Sequence, residues 1–170
     1  ARDIGEAGLA AIEINPLLRG HGTQLDAGKL VASRTPGKVR VSVINLSGTP
    51  TREVLTGLHA SALALAPSGR YLVVCNTGSD TLSVIDTRTD EIIETIWARQ
   101  KPSDLFGAQP NAVTFDSSGK KLFVCNGTQN AVAVFDFKPG KSELRGLIPV
   151  GWFPGAIAFD AKHRVLAVAN

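Results

Sequence analysis

ASALALAPSGRYLVVCNTGSDTLSVID, residues 60–86, and PNAVTFDSSGKKLFVCNGTQNAVAVFD, residues 110–136, align without a gap at an offset of 50. A third copy, PGAIAFDAKHRVLAVAN from Pro154 to Asn170, follows the second by 170 − 126 = 44 residues. The stretch Val39 to Asn45 (VRVSVIN) matches the TLSVID and AVAVFD segments. Self-similarity with a period of roughly 20 to 50 residues marks a repeat architecture, in which one copy cannot bury its apolar face alone.

Inside each copy the apolar residues alternate over short runs: Ala62-Leu63-Ala64-Leu65, Tyr71-Leu72-Val73-Val74, Leu82-Ser83-Val84-Ile85 and Ile92-Ile93-Glu94-Thr95-Ile96. Turn formers separate them: Pro67-Ser68-Gly69, Asn76-Thr77-Gly78 and Asp86-Thr87-Arg88-Thr89-Asp90. Short strands joined by tight turns at this spacing predict antiparallel hairpins. Four strands in such a repeat are one propeller blade. The expectation is an all-β chain with strands near 62–66, 71–76, 82–86 and 92–97, repeated 50 residues on, and almost no helix. Naming the strands of a blade A to D from the inside outward, the count gives C and D of one blade (39–56), two whole blades, and A and B of another ending at Asn170. That is a partial β-propeller of two whole and two half blades. Three blades' worth cannot close a ring of about 4 to 8, so the count predicts part of a larger ring.

Residues 1–37 fit the repeat poorly and read as a loop insertion or degenerate blade segment before strand C; residues 38–170 are the blades. In an antiparallel blade the B–C and D–A connections share one end. The insertion at 1–37, the link 98–109 and the link 151–154 are therefore expected at one face, and structureless links this long are usually functional.

The composition narrows the class. Of the 170 residues, 19% are charged and 44% belong to the hydrophobic set, which excludes a disordered chain. The net charge of +3 argues by itself neither for nor against a nucleic-acid surface. The longest nearly apolar run, Leu58 to Pro67, is far short of the roughly 20 residues of a membrane helix. The start, Ala1-Arg2-Asp3-Ile4-Gly5-Glu6, has no initiator Met and no signal-peptide order, which predicts a processed or cut end.

Leu72-Val73-Val74-Cys75-Asn76 with Leu82-Ser83-Val84-Ile85-Asp86, and the matching residues 122–126 and 132–136, resemble the YVTN family of β-propeller repeats. The link Val150-Gly151-Trp152-Phe153-Pro154 is similar to that family's step into the next blade. Gly57-Leu58-His59, Phe106-Gly107-Ala108-Gln109-Pro110-Asn111-Ala112 and Gly151-Trp152-Phe153-Pro154 carry a closer likeness, to bacterial proteins that join such a propeller to a phosphoesterase of the alkaline phosphatase superfamily. The departures are Cys75 and Cys125 where small residues are usual, and His163 at a turn glycine. The resemblance implies a seven-bladed ring, a periplasmic or extracellular setting, and a non-catalytic binding or docking platform. Its partners would be the remaining blades and, in the fused members, a phosphoesterase domain outside these residues. It implies no cofactor in this segment, no nucleic acid and no membrane span, and it leaves the ligand unnamed. A lactonase-like hydrolase acting at the channel mouth and a structural cell-surface repeat are the competing readings.

Asn76, Asn126 and Asn170 recur at one repeat position, and Asp86, Asp136 and Asn45 at another. Their side chains are expected to accept hydrogen bonds from turn backbone. Repetition in every blade argues against catalysis, for which a residue is needed once. Cys75 and Cys125 share a position with Ala169, which demands a small side chain and predicts buried, unlinked thiols. Adjacent sheets about 10 Å apart keep equivalent positions beyond disulfide reach.

No C-x-x-C or H-E-x-x-H occurs; Gly28-Lys29 and Gly140-Lys141-Ser142 fail the phosphate-loop pattern, and Ser68 fails the G-x-S-x-G elbow. Asn45-Leu46-Ser47 and Asn126-Gly127-Thr128 match the glycosylation tripeptide. His59 is equivalent by repeat position to Gln109 and Phe153, at the lead-in to strand A near the channel mouth. A lining role and plain surface packing both fit it. Trp152 and Phe153, an aromatic pair in a Gly/Pro-bounded link, suit partner contact and packing between blades equally well. The candidate binding residues are thus His59, Phe106, Gln109, Asn111, Trp152 and Phe153, with no catalytic residue and no metal ligand.

Overall fold

The computed structural model describes residues 9–12, 40–44, 50–101 and 103–170. Their regular structure consists of thirteen strands and two short 3-10 turns, Thr77–Ser79 and Gly127–Gln129. Strands β1 (Leu9–Ile12), β2 (Arg40–Ile44) and β3 (Pro50–Leu55) form the first sheet. The second holds β4 (Ala60–Leu65), β5 (Tyr71–Asn76), β6 (Thr81–Asp86) and β7 (Glu91–Trp97). The third holds β8 (Pro110–Phe115), β9 (Lys121–Asn126), β10 (Ala131–Asp136) and β11 (Glu143–Pro149), and the last β12 (Ala156–Asp160) and β13 (Val165–Ala169). Neighbours within each sheet pair antiparallel. β4 packs beside β8, and β8 beside β12, so the A strands of successive sheets stand together. This is a partial β-propeller.

The period-2 pattern explains how the sheets stack, because alternate side chains of a strand point to opposite faces. On β5, Val73 and Cys75 join Leu82, Val84 and Ile96 in one core with Val113, Phe115, Leu122, Val124 and Phe135 of the third sheet. Leu72 and Val74, one step out of phase, face the other way and pack with Val41 and Val54 of the first. The third sheet repeats the device: Cys125 and Val132, with partly buried Phe123, meet Ile157 and Val168 of the fourth. B strands are therefore apolar on both faces, and a run such as Leu-Val-Val-Cys is fully buried. Phe115 and Tyr71 meet Phe137 edge to face, with ring centroids 4.9 and 6.1 Å apart.

Two points refine the sequence reading. The first sheet has three strands among the described residues, because Leu9–Ile12, within the segment read as an insertion, pairs with β2 from Leu9↔Ile44 to Ile12↔Val41. The predicted strands of the two whole blades shift by at most two residues at their ends, as with Ala60–Leu65 for 62–66. The remainder of 1–37 and Asn45-Leu46-Ser47 lie outside the described residues.

Candidate functional site

Three residues in the lead-ins to A strands share a backbone conformation that side chains rarely adopt. His59, Gln109 and Phe153 have φ of 57°, 48° and 48°. A left-handed backbone suits glycine and is strained under a histidine, glutamine or phenylalanine. The conformation is held from both sides. The N–H of Gln109 donates to Asp80 Oδ1 at 2.9 Å, and the N–H of Phe153 donates to Asn130 Oδ1 at 2.9 Å. Asp80 Oδ2 also accepts the Gly107 N–H at 2.7 Å. The carbonyls of His59 and Gln109 accept from Thr77 N–H (3.0 Å) and Gly127 N–H (3.1 Å). Asp80 and Asn130 are themselves left-handed (φ 53° and 51°) and end the 3-10 turns that join B to C. Each clip thus ties the B–C turn of one sheet to the lead-in of the next.

Two residues further on, the register shifts between Ala60 and Ala62 and between Pro110 and Ala112 make Ser61 and Asn111 the extra residues of β-bulges. Bulges re-aim side chains and collect beside functional sites. Ser61 Oγ donates to the Pro110 carbonyl at 3.3 Å, and Thr77 Oγ1 donates to the same oxygen at 2.7 Å, locking β4 to β8 at this end.

The link 98–109 is organised around one buried cation. The guanidinium of Arg99 lies 4.6 Å from the Trp97 ring centroid and 4.5 Å from that of Phe106, its Nε is 3.9 Å from Asp80 Oδ2, and it donates to the Asp104 carbonyl. Phe106 stays 70% exposed on this support, and Trp152 is 81% exposed, whereas the Phe153 ring packs against Gly127. The structure thus brings His59, Gln109, Phe153, Phe106 and Trp152, on the links into the A strands, and Asn111, at the start of β8, to one end. Sequence reasoning misses Arg99, Asp80 and Asn130. For Asp80 and Asn130 a signal exists, an Asp/Asn at a single repeat position, the residue types that tolerate a left-handed backbone.

Five buried side-chain atoms among the described residues have no hydrogen-bond partner: Asn76 Oδ1, Asn126 Oδ1, Asn111 Oδ1, Arg99 Nε and Arg40 Nε. All belong to residues at this same end, where B and D strands finish and A and C strands begin. Unsatisfied buried polar groups are few in native proteins and call for a water, an ion or a ligand. The repeat asparagines behave otherwise than expected. Asn76 Nδ2 donates to Thr81 Oγ1 (3.1 Å) and Ser83 Oγ (2.9 Å), and Asn126 Nδ2 donates to the Ala98 carbonyl (2.8 Å) and Gln129 Oε1 (2.9 Å). They brace side chains and an incoming link, and accept nothing from turn backbone. Full burial of Asn126 also closes its glycosylation tripeptide to modification. Asn170 lies against Gly151.

At the opposite end Asp86 does accept a turn N–H, from Arg88 at 3.0 Å, while Asp136 is engaged by Lys121 and Arg145. Cys75 and Cys125 are free and buried; burial first, then Cys125, raises the Cys75 thiol, and burial pushes Cys125 up to about 11. No group of three or more potential metal ligands occurs among the described residues. No helix there is long and apolar enough to cross a membrane.

A family profile described as "Lactonase, 7-bladed beta-propeller" matches residues 31–149. Among solved structures, Kuenenia stuttgartiensis hydrazine synthase is similar at 21% identity and TM-score 0.67, over 88% of this chain and 45% of that one. A Lactobacillus plantarum protein matches at 23% and 0.66, over 79% and 42%. The periplasmic gluconolactonase of Pseudomonas aeruginosa matches at 18% and 0.58, over 77% and 42%. The chain spans less than half the length of these solved chains. No curated protein matches its sequence.

Proposed function

The chain belongs to the seven-bladed lactonase-type β-propeller family, and on that premise we propose that it serves as a recognition platform whose loop-rich end binds a small, oxygen-rich ring. The observation that carries this reading is the gathering of the five unsatisfied buried polar atoms found among the described residues at the end where His59, Gln109 and Phe153 hold a strained backbone. Imidazole and carboxamide groups supply neutral donors and acceptors, and the exposed faces of Phe106 and Trp152 supply apolar contact. That mixture of a few polar groups with aromatic walls is typical of small-molecule sites. Fold alone assigns no chemistry, since one scaffold hosts many activities. In this reading the segment is non-catalytic, works with the other blades of its ring, and belongs to a periplasmic or extracellular protein. A YVTN-type repeat joined to a phosphoesterase domain is its proposed setting.

The family itself favours a second reading, hydrolysis of a lactone at the channel mouth. His59 would then take a proton from the attacking water, and the amides of Gln109 and Asn111 would donate to the developing oxyanion. Titrating the full-length protein with glucono-δ-lactone, by calorimetry and by lactone consumption, separates the two. The platform reading expects binding with no turnover above the spontaneous rate, and lost binding at unchanged thermal stability in Phe106→Ala and Trp152→Ala. Turnover abolished by His59→Ala selects the hydrolase. Phe106→Ala and Trp152→Ala variants that lose stability while binding persists would assign these aromatics to packing and sink the platform reading.

A further inference from the structure

The three links that lead into A strands differ in length: residues 56–59, 98–109 and 150–155. Each carries a left-handed residue, His59, Gln109 or Phe153, yet neither short link contains an arginine or a lysine. In the last of them a neutral amide is enough, since Asn130 Oδ1 accepts the Phe153 N–H at 2.9 Å. The turned lead-in therefore does not require Arg99. What Arg99 serves is the segment that the long link adds, which carries Phe106.

Trp97 closes β7 at the register position that Pro149 holds in the third sheet, since Thr81↔Trp97 and Ala131↔Pro149 are equivalent pairs. The aromatic floor under Arg99 thus belongs to the blade with the long link. A planar guanidinium stacks on ring faces, and this one has the Trp97 ring at 4.6 Å and the Phe106 ring at 4.5 Å. It is buried, its Nε has no hydrogen-bond partner, and the Asp80 carboxylate is 3.9 Å from that atom. A buried ion pair without hydrogen bonds between its partners adds little net stability, and its use is to fix one geometry. Here that geometry is the seat of Phe106. After it, the Gly107 and Gln109 N–H groups donate to Asp80 and the Thr128 hydroxyl donates to the Gly107 carbonyl, which ties the backbone to the B–C turns of two sheets. Before it, Asp104 gives its carbonyl to Arg99 and its carboxylate to the Lys101 N–H at 2.9 Å. Between these anchors the Phe106 ring rests on the guanidinium with its body exposed.

We infer that Arg99 is a positioning residue for ligand recognition: it acts through Phe106, holding the ring so that its outer face meets the ligand beside Gln109. This rests on the reading of the loop-rich end as a ligand site. The test uses the full-length protein and reads glucono-δ-lactone affinity by calorimetry beside amide hydrogen exchange across 103–109. In Arg99→Met the affinity should fall about tenfold, the scale of one lost stacking contact. Arg99→Met/Phe106→Ala should bind no more weakly than Phe106→Ala, because a residue that acts through the ring adds nothing once the ring is gone. Exchange across 103–109 should quicken while β5 and β6 keep the parent's protection. Arg99→Lys should recover part of both, since it keeps a charge beside Asp80 without the flat stack. Arg99→Met leaves the Asp80 carboxylate without its buried cation, so Arg99→Met/Asp80→Asn, which copies the neutral Asn130 clip, is measured as well and should lose affinity to the same degree. Additive losses in the Phe106 cycle, affinity unchanged in both Met variants, or protection lost throughout β5 and β6 in both would overturn the assignment. If the parent does not bind the lactone, the platform reading fails on its own. Selective loss of protection at 103–109 then still supports Arg99 as the residue that positions this loop, and unchanged protection there overturns it.

Discussion

Gly57 has a steric reason that its neighbours make plain. A Cβ there would lie 2.6 Å from Ser79 Oγ and 2.7 Å from the Asn76 amide carbon, and Asn76 is fully buried with no room to yield. Gly57→Ala should therefore destabilise by about 1–3 kcal/mol in chemical denaturation. Gly155→Ala, whose nearest neighbour would be 3.9 Å away, should be close to neutral. The two thiols make a second prediction at this scale. In the native protein Cys75 and Cys125 should not react with an aromatic disulfide reagent, and both should react after denaturation. Their raised pKa also sets a pH dependence. The folded state keeps a proton that the unfolded chain releases near 9.0, so stability is full below that value. It should then fall by about 1.4 kcal/mol per pH unit for each thiol, for Cys125 up to about 11. Cys75→Ala/Cys125→Ala should flatten that slope; a slope unchanged in the double variant would refute the linkage.

Among the elements, the B–C turn is what joins one sheet to the next at the loop-rich end. Asp80 accepts two backbone N–H groups of the 98–109 link and sits beside the buried Arg99, whereas Asn130 accepts one from the following link. Asp80→Ala should cost about 3–5 kcal/mol, because it leaves Arg99 as an uncompensated buried charge. Asp80→Asn, which reproduces the Asn130 clip, should cost less; equal losses would show that the hydrogen bonds contribute nothing. The whole blades were legible in the sequence because turn residues and alternation repeat in phase, so every boundary was read twice. Leu9–Ile12 was not, because LAAI is too short and too uniformly apolar to show a period and has no second copy to align with. The clips were also missed: an Asp or Asn in a turn reads as a generic turn former, and only the fold shows that its acceptor reaches the neighbouring sheet.

For the whole molecule, the antiparallel rule put the B–C and D–A connections at one end, and the structure has them there for the described residues. Alignment also made His59, Gln109 and Phe153 equivalent, and their common left-handed φ gives that equivalence a physical form. The sequence could not show that this conformation is strained, nor that the unsatisfied polar atoms gather beside it, because both depend on packing between sheets. At the opposite end the short turns carry ion pairs and a bridge from Glu94 to the N–H groups of Gly140 and Ser142 (3.0 and 2.6 Å), so that end holds the blades together through side chains.

The central claim is that the side chains before the A strands are kept, against backbone strain, for what they bind. Replacing His59 and Gln109 by glycine relieves about 1–2 kcal/mol of left-handed strain at each position, partly offset by about 0.5–1 kcal/mol of added unfolded-chain entropy. The deciding measurement is the stability of His59→Gly/Gln109→Gly in the full-length protein, read beside its glucono-δ-lactone affinity. Equal or higher stability together with lost affinity is the predicted result. Lower stability with affinity unchanged would contradict the claim and make the two side chains part of the packing.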